Sequence, residues 1–137
     1  MATNSEIVTV TFTPGNIGSD TPPVTTSVPA DGLRIRQGIT IIIFNLVTNP
    51  PNLGGNQPTF PVPPSSPPIQ FADGSPLDSP FSLFAWGDLN EFQVEDANIG
   101  FGTAGQYLFT VFVEFEGVTY PGDPMIINEP PVGSDQD

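Results

Sequence analysis

Fifteen carboxylates and two arginines, Arg34 and Arg36, are the charged side chains of this 137-residue chain; lysine, histidine and cysteine do not occur in it, and its formal net charge is −13. An acyl-transfer triad needs a base beside its nucleophile, structural zinc needs thiolate or imidazole, and Schiff-base chemistry or a phosphate-cradling P-loop needs a lysine. None of these can be assembled here. The chemistry left to the chain is that of its carboxylates and of one arginine pair, and the expectation is a protein that is not an enzyme and carries no cofactor.

Four constellations are worth weighing. Glu114 and Glu116 project from one strand face at a separation of ~6.6 to 7 Å, close enough for acid–base work. A single strand face encloses no pocket that would displace a carboxyl's ionisation, so a solvated end of a sheet is expected there, facing Arg34 and Arg36. Those arginines share a face of their own. An anion clamp is one use for them; internal pairing with the surplus of negative charge is the expected one. Asp123 and Glu129 have the same parity, but an extended chain sets them roughly 20 Å apart, beyond the ~5 to 9.5 Å of paired hydrolytic carboxylates. Each is expected to satisfy backbone N–H groups at a turn, with the following proline fixing φ. Finally, the Asp73 to Asp78 run and the stretch holding Glu91, Glu95, Asp96 and Asn98 place oxygen ligands on what read as loops, the ligand type calcium accepts. Neither has the spacing of an EF-hand loop, and ordinary turn chemistry is the default.

The elements that must position these groups read as strands. Val8, Val10 and Phe12 alternate with Thr9, Thr11 and Thr13 until Pro14-Gly15 stops the run. Val24 to Val28 is extended between prolines, which suggests an edge, and Asp31-Gly32 turns the chain into Leu33 to Arg36. In Ile39 to Val47 both parities are apolar, the pattern of a strand covered on both faces. Shorter apolar pieces follow at Ile69 to Phe71, Phe81 to Trp86, Phe92 to Val94 and Ile99 to Phe101. Tyr107 to Phe115 alternates again, Glu116-Gly117 turns it into Val118 to Tyr120, and Pro121 to Pro124 breaks that return strand before Met125 to Asn128, implying a bulged edge. No helical periodicity of useful length occurs. The proline-rich segment 49–68 cannot donate a regular ladder; it is expected to be an ordered flap laying Leu53, Phe60 and Val62 over the second face of Ile39 to Val47. A protein interface is expected wherever an apolar face stays uncovered, with Ile42, Phe44 and Leu46, or Leu108 and Phe112, as the exposed parity.

With 11 Phe, 18 Pro and 14 Gly the chain has core material joined by many turns, and a chain of this length buries roughly two-thirds of its unfolded surface without disulfide or metal. Its charge should repel nucleic-acid phosphates and anionic lipid. The start MATNSEIVTV has neither basic nor apolar leader character, and no apolar run is long enough to span a bilayer. A cytoplasmic protein is expected, with no nucleic-acid or membrane partner.

Two resemblances enter on particular residues. Thr103-x-Gly105-x-Tyr107-x-Phe109 resembles the approach to strand F of an immunoglobulin-like domain, which implies a tyrosine corner at Tyr107 and an F–G hairpin after it. The sequence departs from that pattern at Thr103, where an acidic residue is usual, and at Phe109, where antibody-type domains have cysteine; Trp86 would be the core tryptophan. Asp123-Pro124 followed by Glu129-Pro130 resembles the paired signature of the DP-EP family, a small bacterial family of undefined function. That match implies a β-rich fold and brings no activity with it. Residues 1–130 are thus expected to form one all-β domain, an immunoglobulin-like antiparallel β-sandwich with a proline-rich insertion, followed by a flexible acidic tail at 131–137. Its expected role is that of a binding or structural module with a protein partner or a second copy of itself. The alternative is a calcium-assisted carbohydrate-binding β-sandwich.

Overall fold

The computed structural model describes residues 4–49, 57–61 and 67–131, the side chains of 84–88 excepted. Among the described residues ten strands follow one another: β1 Asn4–Phe12, β2 Val24–Thr26, β3 Leu33–Ile35, β4 Gly38–Thr48, β5 Ile69–Phe71, β6 Phe81–Asp88, β7 Glu91–Asn98, β8 Gly105–Phe115, β9 Val118–Gly122 and β10 Met125–Asn128, with 3-10 turns at Pro14–Asn16 and Phe101–Thr103. The architecture is all-β, and among the described residues no helix is long and apolar enough to cross a membrane.

Sheet I has the order β2-β1-β4-β7-β6, and sheet II runs β3-β10-β8-β5 with β9 also paired to β8. Most neighbours are antiparallel, but β1 and β4 are parallel, as are β3 and β10. This corrects the purely antiparallel expectation. The chain leaves sheet I after β2, contributes β3 to sheet II, and returns as β4 beside β1 in the same direction, which a hairpin could not do.

Register converts the sequence alternation into core rows. Val8, Phe44 and Phe92 are lateral partners across β1, β4 and β7, and Ile42 lies beside Val94; all five are buried. Phe44 and Phe92 stack at 4.7 Å between ring centroids. The two sheets meet through aromatic rings: Phe12 of β1 lies 4.9 Å from Phe115 of β8, and Phe81 of β6 lies 4.8 Å from Tyr107 and 4.9 Å from Phe109. Ring pairs in tilted and edge-on arrangements at these distances add to the stabilisation from burial alone.

In β4 the parity assignment is the reverse of the interface expectation. Ile42, Phe44 and Leu46 are buried core residues, whereas Ile39, Ile41 and Ile43 look outward and are half-buried, and Val47 is exposed. Of the described part of the proline-rich segment, Gln57 borders a depression with Val47 and Thr48 at the end of this strand. Thr59 pairs with Glu114 along the edge of β8, Pro68 accepts from Phe112 N–H at 2.8 Å, and Pro61 and Pro67 border a shallow depression with Phe112. Phe60 is fully buried and meets Phe92 edge-on at 4.7 Å. The segment therefore extends the edge of sheet II and drives one ring between the sheets, because β8 still has backbone groups to satisfy there and the outer face of β4 offers only side chains. Leu53, Val62 and residues 132–137 of the tail lie outside the described residues, as does the Trp86 side chain.

β9 runs on through Pro121 to Gly122, so the break expected over Pro121 to Pro124 falls at Asp123 and Pro124, before β10 begins at Met125. Of the two halves of this return, β9 pairs with β8, whereas β10 is flanked by β3 and β8. At the β8–β9 turn Glu116 and Gly117 both have positive φ, 52° and 79°, the geometry of a tight two-residue hairpin loop.

Candidate anion-binding cleft

Both cations of the chain arrive at one place because of β3. Gly32 has φ 101°, and a Cβ there would lie 2.9 Å from Ile127 Cδ1 of β10, so glycine both makes the turn and lets β3 approach its neighbour. In Leu33–Ile35 the buried Ile35 points into the core, which leaves Arg34 and Arg36, of the opposite parity, exposed. Asn4 and Glu6 share the inward parity of Val8, yet Glu6 is exposed: the space between the sheets opens to solvent at this corner.

The result is a polar cleft of about 260 Å³ lined by Asn4, Ser5 and Glu6 of β1, Arg34, Ile35 and Arg36 at β3, Thr40 of β4, and Glu129 after β10. Glu129 is held by its backbone, donating its N–H to the Ile35 carbonyl at 2.8 Å and accepting from Asn98 Nδ2 at 2.9 Å and Gln37 Nε2 at 3.0 Å. Among the described residues neither arginine makes an ion pair. The expected partners are too far off: Arg34 lies beside Ile127, which faces Gln106, and Glu114 stands eight residues further along β8, roughly 26 Å at the rise of a strand.

Behind Thr40 lies a buried polar seam that joins the sheets. Thr40, Asp96, Asn98 and Asn128 are all buried to 1 % exposure or less. Asn98 of β7 donates to the carbonyls of Ile35 and Arg36 at 3.0 and 3.2 Å, and its Oδ1 accepts from Thr103 Oγ1 at 2.8 Å. Asn128 of β10 donates to Asp96 Oδ1 at 2.9 Å and to the Thr103 carbonyl at 3.1 Å. The Tyr107 hydroxyl also donates to that carbonyl, at 2.9 Å, the back-bond expected of a tyrosine corner. Burial pushes the Asp96 carboxyl up to about 6, against the opposing pull of the Asn128 bond. Tyr107 is raised as well, first by burial and then by the negative charge Asp96 can carry.

Of the residues singled out from the sequence, Arg34, Arg36 and Glu129 share this cleft, and the others lie elsewhere. Asp123 and Glu129 bracket β10. Asp123 is exposed and accepts from Thr110 Oγ1 at 3.4 Å, while Glu129 borders the cleft. Pro124 is buried and its carbonyl accepts from Phe109 N–H at 3.1 Å; Pro130 is exposed. The four signature positions thus mark the two ends of one strand. Glu114 is exposed and pairs with Thr59 through backbone alone.

Of the acidic stretches, the one from Glu91 to Asn98 is not a loop but the whole of β7, with Glu91 and Glu95 on the outer side and Asp96 and Asn98 inward, so its oxygens cannot gather on one cation. Asp73 closes a local turn instead, accepting from Ser75 N at 2.9 Å and Ser75 Oγ at 2.6 Å. The Ser75 hydroxyl, then the Ser75 amide, hold the Asp73 carboxyl below its usual range. Among the described residues no three acidic side chains are grouped to hold a metal.

Asn128 escaped sequence reasoning, and Asp96 and Asn98 entered it only as loop ligands for calcium, not as buried members of a strand. Their signal is a parity one: Phe92 and Val94 mark the inward side of β7, and the same side continues as Asp96 and Asn98. No protein-family model matches this chain, and no curated protein matches it significantly.

Proposed function

We propose that this chain is a non-catalytic binding module, an immunoglobulin-like β-sandwich of DP-EP type, whose recognition site is the cleft at Arg34 and Arg36. The observation that carries this reading is that the chain's two cations both line one polar cleft and neither is neutralised by an ion pair among the described residues. A guanidinium presents a rigid fork of donors that matches an oxyanion, and Asn4 and Ser5 add neutral hydrogen-bonding groups at the rim, with buried Thr40 at the floor. Glu6 and Glu129 in the same lining disfavour a dense polyanion, so the ligand class is a single carboxylate or phosphate group on a small molecule or on a partner protein. Catalysis has no support in this site. The carboxyl with the strongly raised ionisation, Asp96, is fully buried and out of a substrate's reach.

Titration with inorganic phosphate and, separately, with acetate, followed by backbone amide shifts, tests the reading. Saturable shifts confined to β1, β3 and Glu129, abolished in Arg34→Gln/Arg36→Gln, are expected for at least one anion. Shifts that spread over the surface and survive the double substitution would refute it.

A second reading, self-association, is favoured by the outer face of sheet I. Ile7, exposed to 62 %, lies beside Ile43 in register, and Ile39 and Ile41 continue the aliphatic surface. The occupant proposed is the same face of a second copy, since an isologous contact would cover both aliphatic surfaces at once. Sedimentation at micromolar concentration tests it, with a monomer at every salt concentration as the contrary result.

A further inference from the structure

We infer that, at mildly acidic pH, Asp96 is a neutral carboxylic acid in the native fold and forms with Asn128 a two-hydrogen-bond acid–amide ring that clasps sheet I to sheet II, a clasp that opens when Asp96 loses its proton.

The geometry points there through what is missing. Both hydrogens of the Asn128 amide are used, on Asp96 Oδ1 and on the Thr103 carbonyl. Since both partners are acceptors, they fix which end of the amide faces them. Two oxygens remain, Asp96 Oδ2 and Asn128 Oδ1, each buried and without a hydrogen-bond partner. If Asp96 were ionised, both would be acceptors in a dry interior, and each orphaned acceptor is costly. Neither oxygen has appreciable contact with water-sized space, so a bridging water or cation has no room. A proton needs none. Carried on Asp96 Oδ2 and donated to Asn128 Oδ1, it satisfies both orphans and closes the ring opposite the existing 2.9 Å bond.

The surroundings agree. In its row Asp96 has Phe81 of β6 on one side and Thr40 of β4 on the other; neither carries charge. From sheet II it faces Asn128 and Tyr107, and of these only Tyr107 titrates, well above neutrality. On its own strand Glu95 points to the outer side. Arg34, Arg36, Glu6 and Glu129 line the cleft on the far side of Thr40, and none of them contributes to the shift that burial imposes on Asp96.

The sign follows from linkage. Between the ordinary value of 3.8 and about 6 the folded chain binds a proton that the unfolded chain has released. This group's contribution to stability is therefore complete below the lower value and is lost as pH rises through the upper one. The shift corresponds to a change on the order of 100-fold in the folded-to-unfolded ratio. Above it, ionised Asp96 still accepts from Asn128 Nδ2, but Asp96 Oδ2 and Asn128 Oδ1 are then two buried acceptors with no donor between them, and the ring opens on that side.

Two measurements test this. Side-chain carboxyl ¹³C shifts in the intact protein should show Asp96 titrating with a midpoint near 6; a midpoint below 4 would overturn the inference without any variant. Denaturant unfolding from pH 4 to 8 should then separate wild type from Asp96→Asn, in which an amide supplies the same donor to Asn128 Oδ1. The difference between them should change on the order of 100-fold across that range, with the variant at least as stable at pH 7. A variant that is less stable at pH 7, that fails to fold, or whose difference from wild type is flat with pH counts against the acid–amide ring.

Discussion

Phe60 and Phe92 meet edge to face with 4.7 Å between ring centroids, and both are fully buried. One residue of a proline-rich stretch is thus a member of the core, stacked in series with Phe92 and Phe44. It is anchored on both sides by backbone: the Phe60 N–H donates to the Leu89 carbonyl at 2.8 Å, and Thr59 exchanges two bonds with Glu114. Prolines supply no donors, so the few non-proline residues around them make these contacts.

Phe60→Ala should therefore behave as a core truncation and cost about 3 to 5 kcal/mol, measured as a shift in denaturant midpoint at unchanged slope. Phe60→Leu should cost clearly less. A loss under about 1 kcal/mol for the alanine variant, the range of surface changes, would mean that the ring contributes little to the core.

Much of this was legible in the chain. Alternation placed β1 and β8 on the correct face, and Glu116-Gly117 and Pro121 to Pro124 located the hairpin turn and the break after it. The parity of β4 was not legible, because Ile, Phe and Leu occupy both sides and only the partners Val8, Phe92 and Val94 decide which side is inward. Nor was β7 legible as one strand: its inward side changes from Phe92 and Val94 to Asp96 and Asn98, and buried polar residues imitate a loop until the sheet opposite supplies Asn128 and the Ile35 carbonyl. The cleft needed β3 to cross between sheets, a long-range event with no local signature.

Gly32→Ala should injure β3 specifically. The residue has φ 101°, and its Cβ would stand 2.9 Å from Ile127 Cδ1, so both backbone strain and crowding of β10 follow, about 1 to 3 kcal/mol in total. Amide exchange should accelerate in Leu33–Ile35 and at Glu129, whose N–H is held by the Ile35 carbonyl, before it does in β8. Uniform acceleration would contradict a local role.

Tyr107→Phe removes the hydroxyl donor to the Thr103 carbonyl. That carbonyl keeps its bond from Asn128, so no acceptor is orphaned and the loss should stay near the net value of one hydrogen bond, about 0.5 to 1.5 kcal/mol. Thermal unfolding gives the number. The same variant should leave the titration of Asp96 near 6, since burial and not Tyr107 sets it; a midpoint that falls toward the usual carboxylate range would show that the ring hydroxyl keeps the seam dry.

The outer face of sheet I gives the last prediction. Ile43 has Ile7 on one side and Gln93 on the other, and in the next outward row Ile41 has Ser5 and Glu95, so the aliphatic centre is bordered by carboxylate on the β7 side. Two such faces brought together gain apolar burial and suffer repulsion between chains of net charge −13. Exposed charges are screened over about 10 Å at 0.1 M salt and about 30 Å at 0.01 M. Association should accordingly strengthen from low to physiological ionic strength and be abolished by Ile43→Lys together with Ile7→Thr, with the monomer's circular dichroism unchanged, because neither side chain belongs to the core. Association that weakens with salt, or that survives the double substitution, would place the contact on another face.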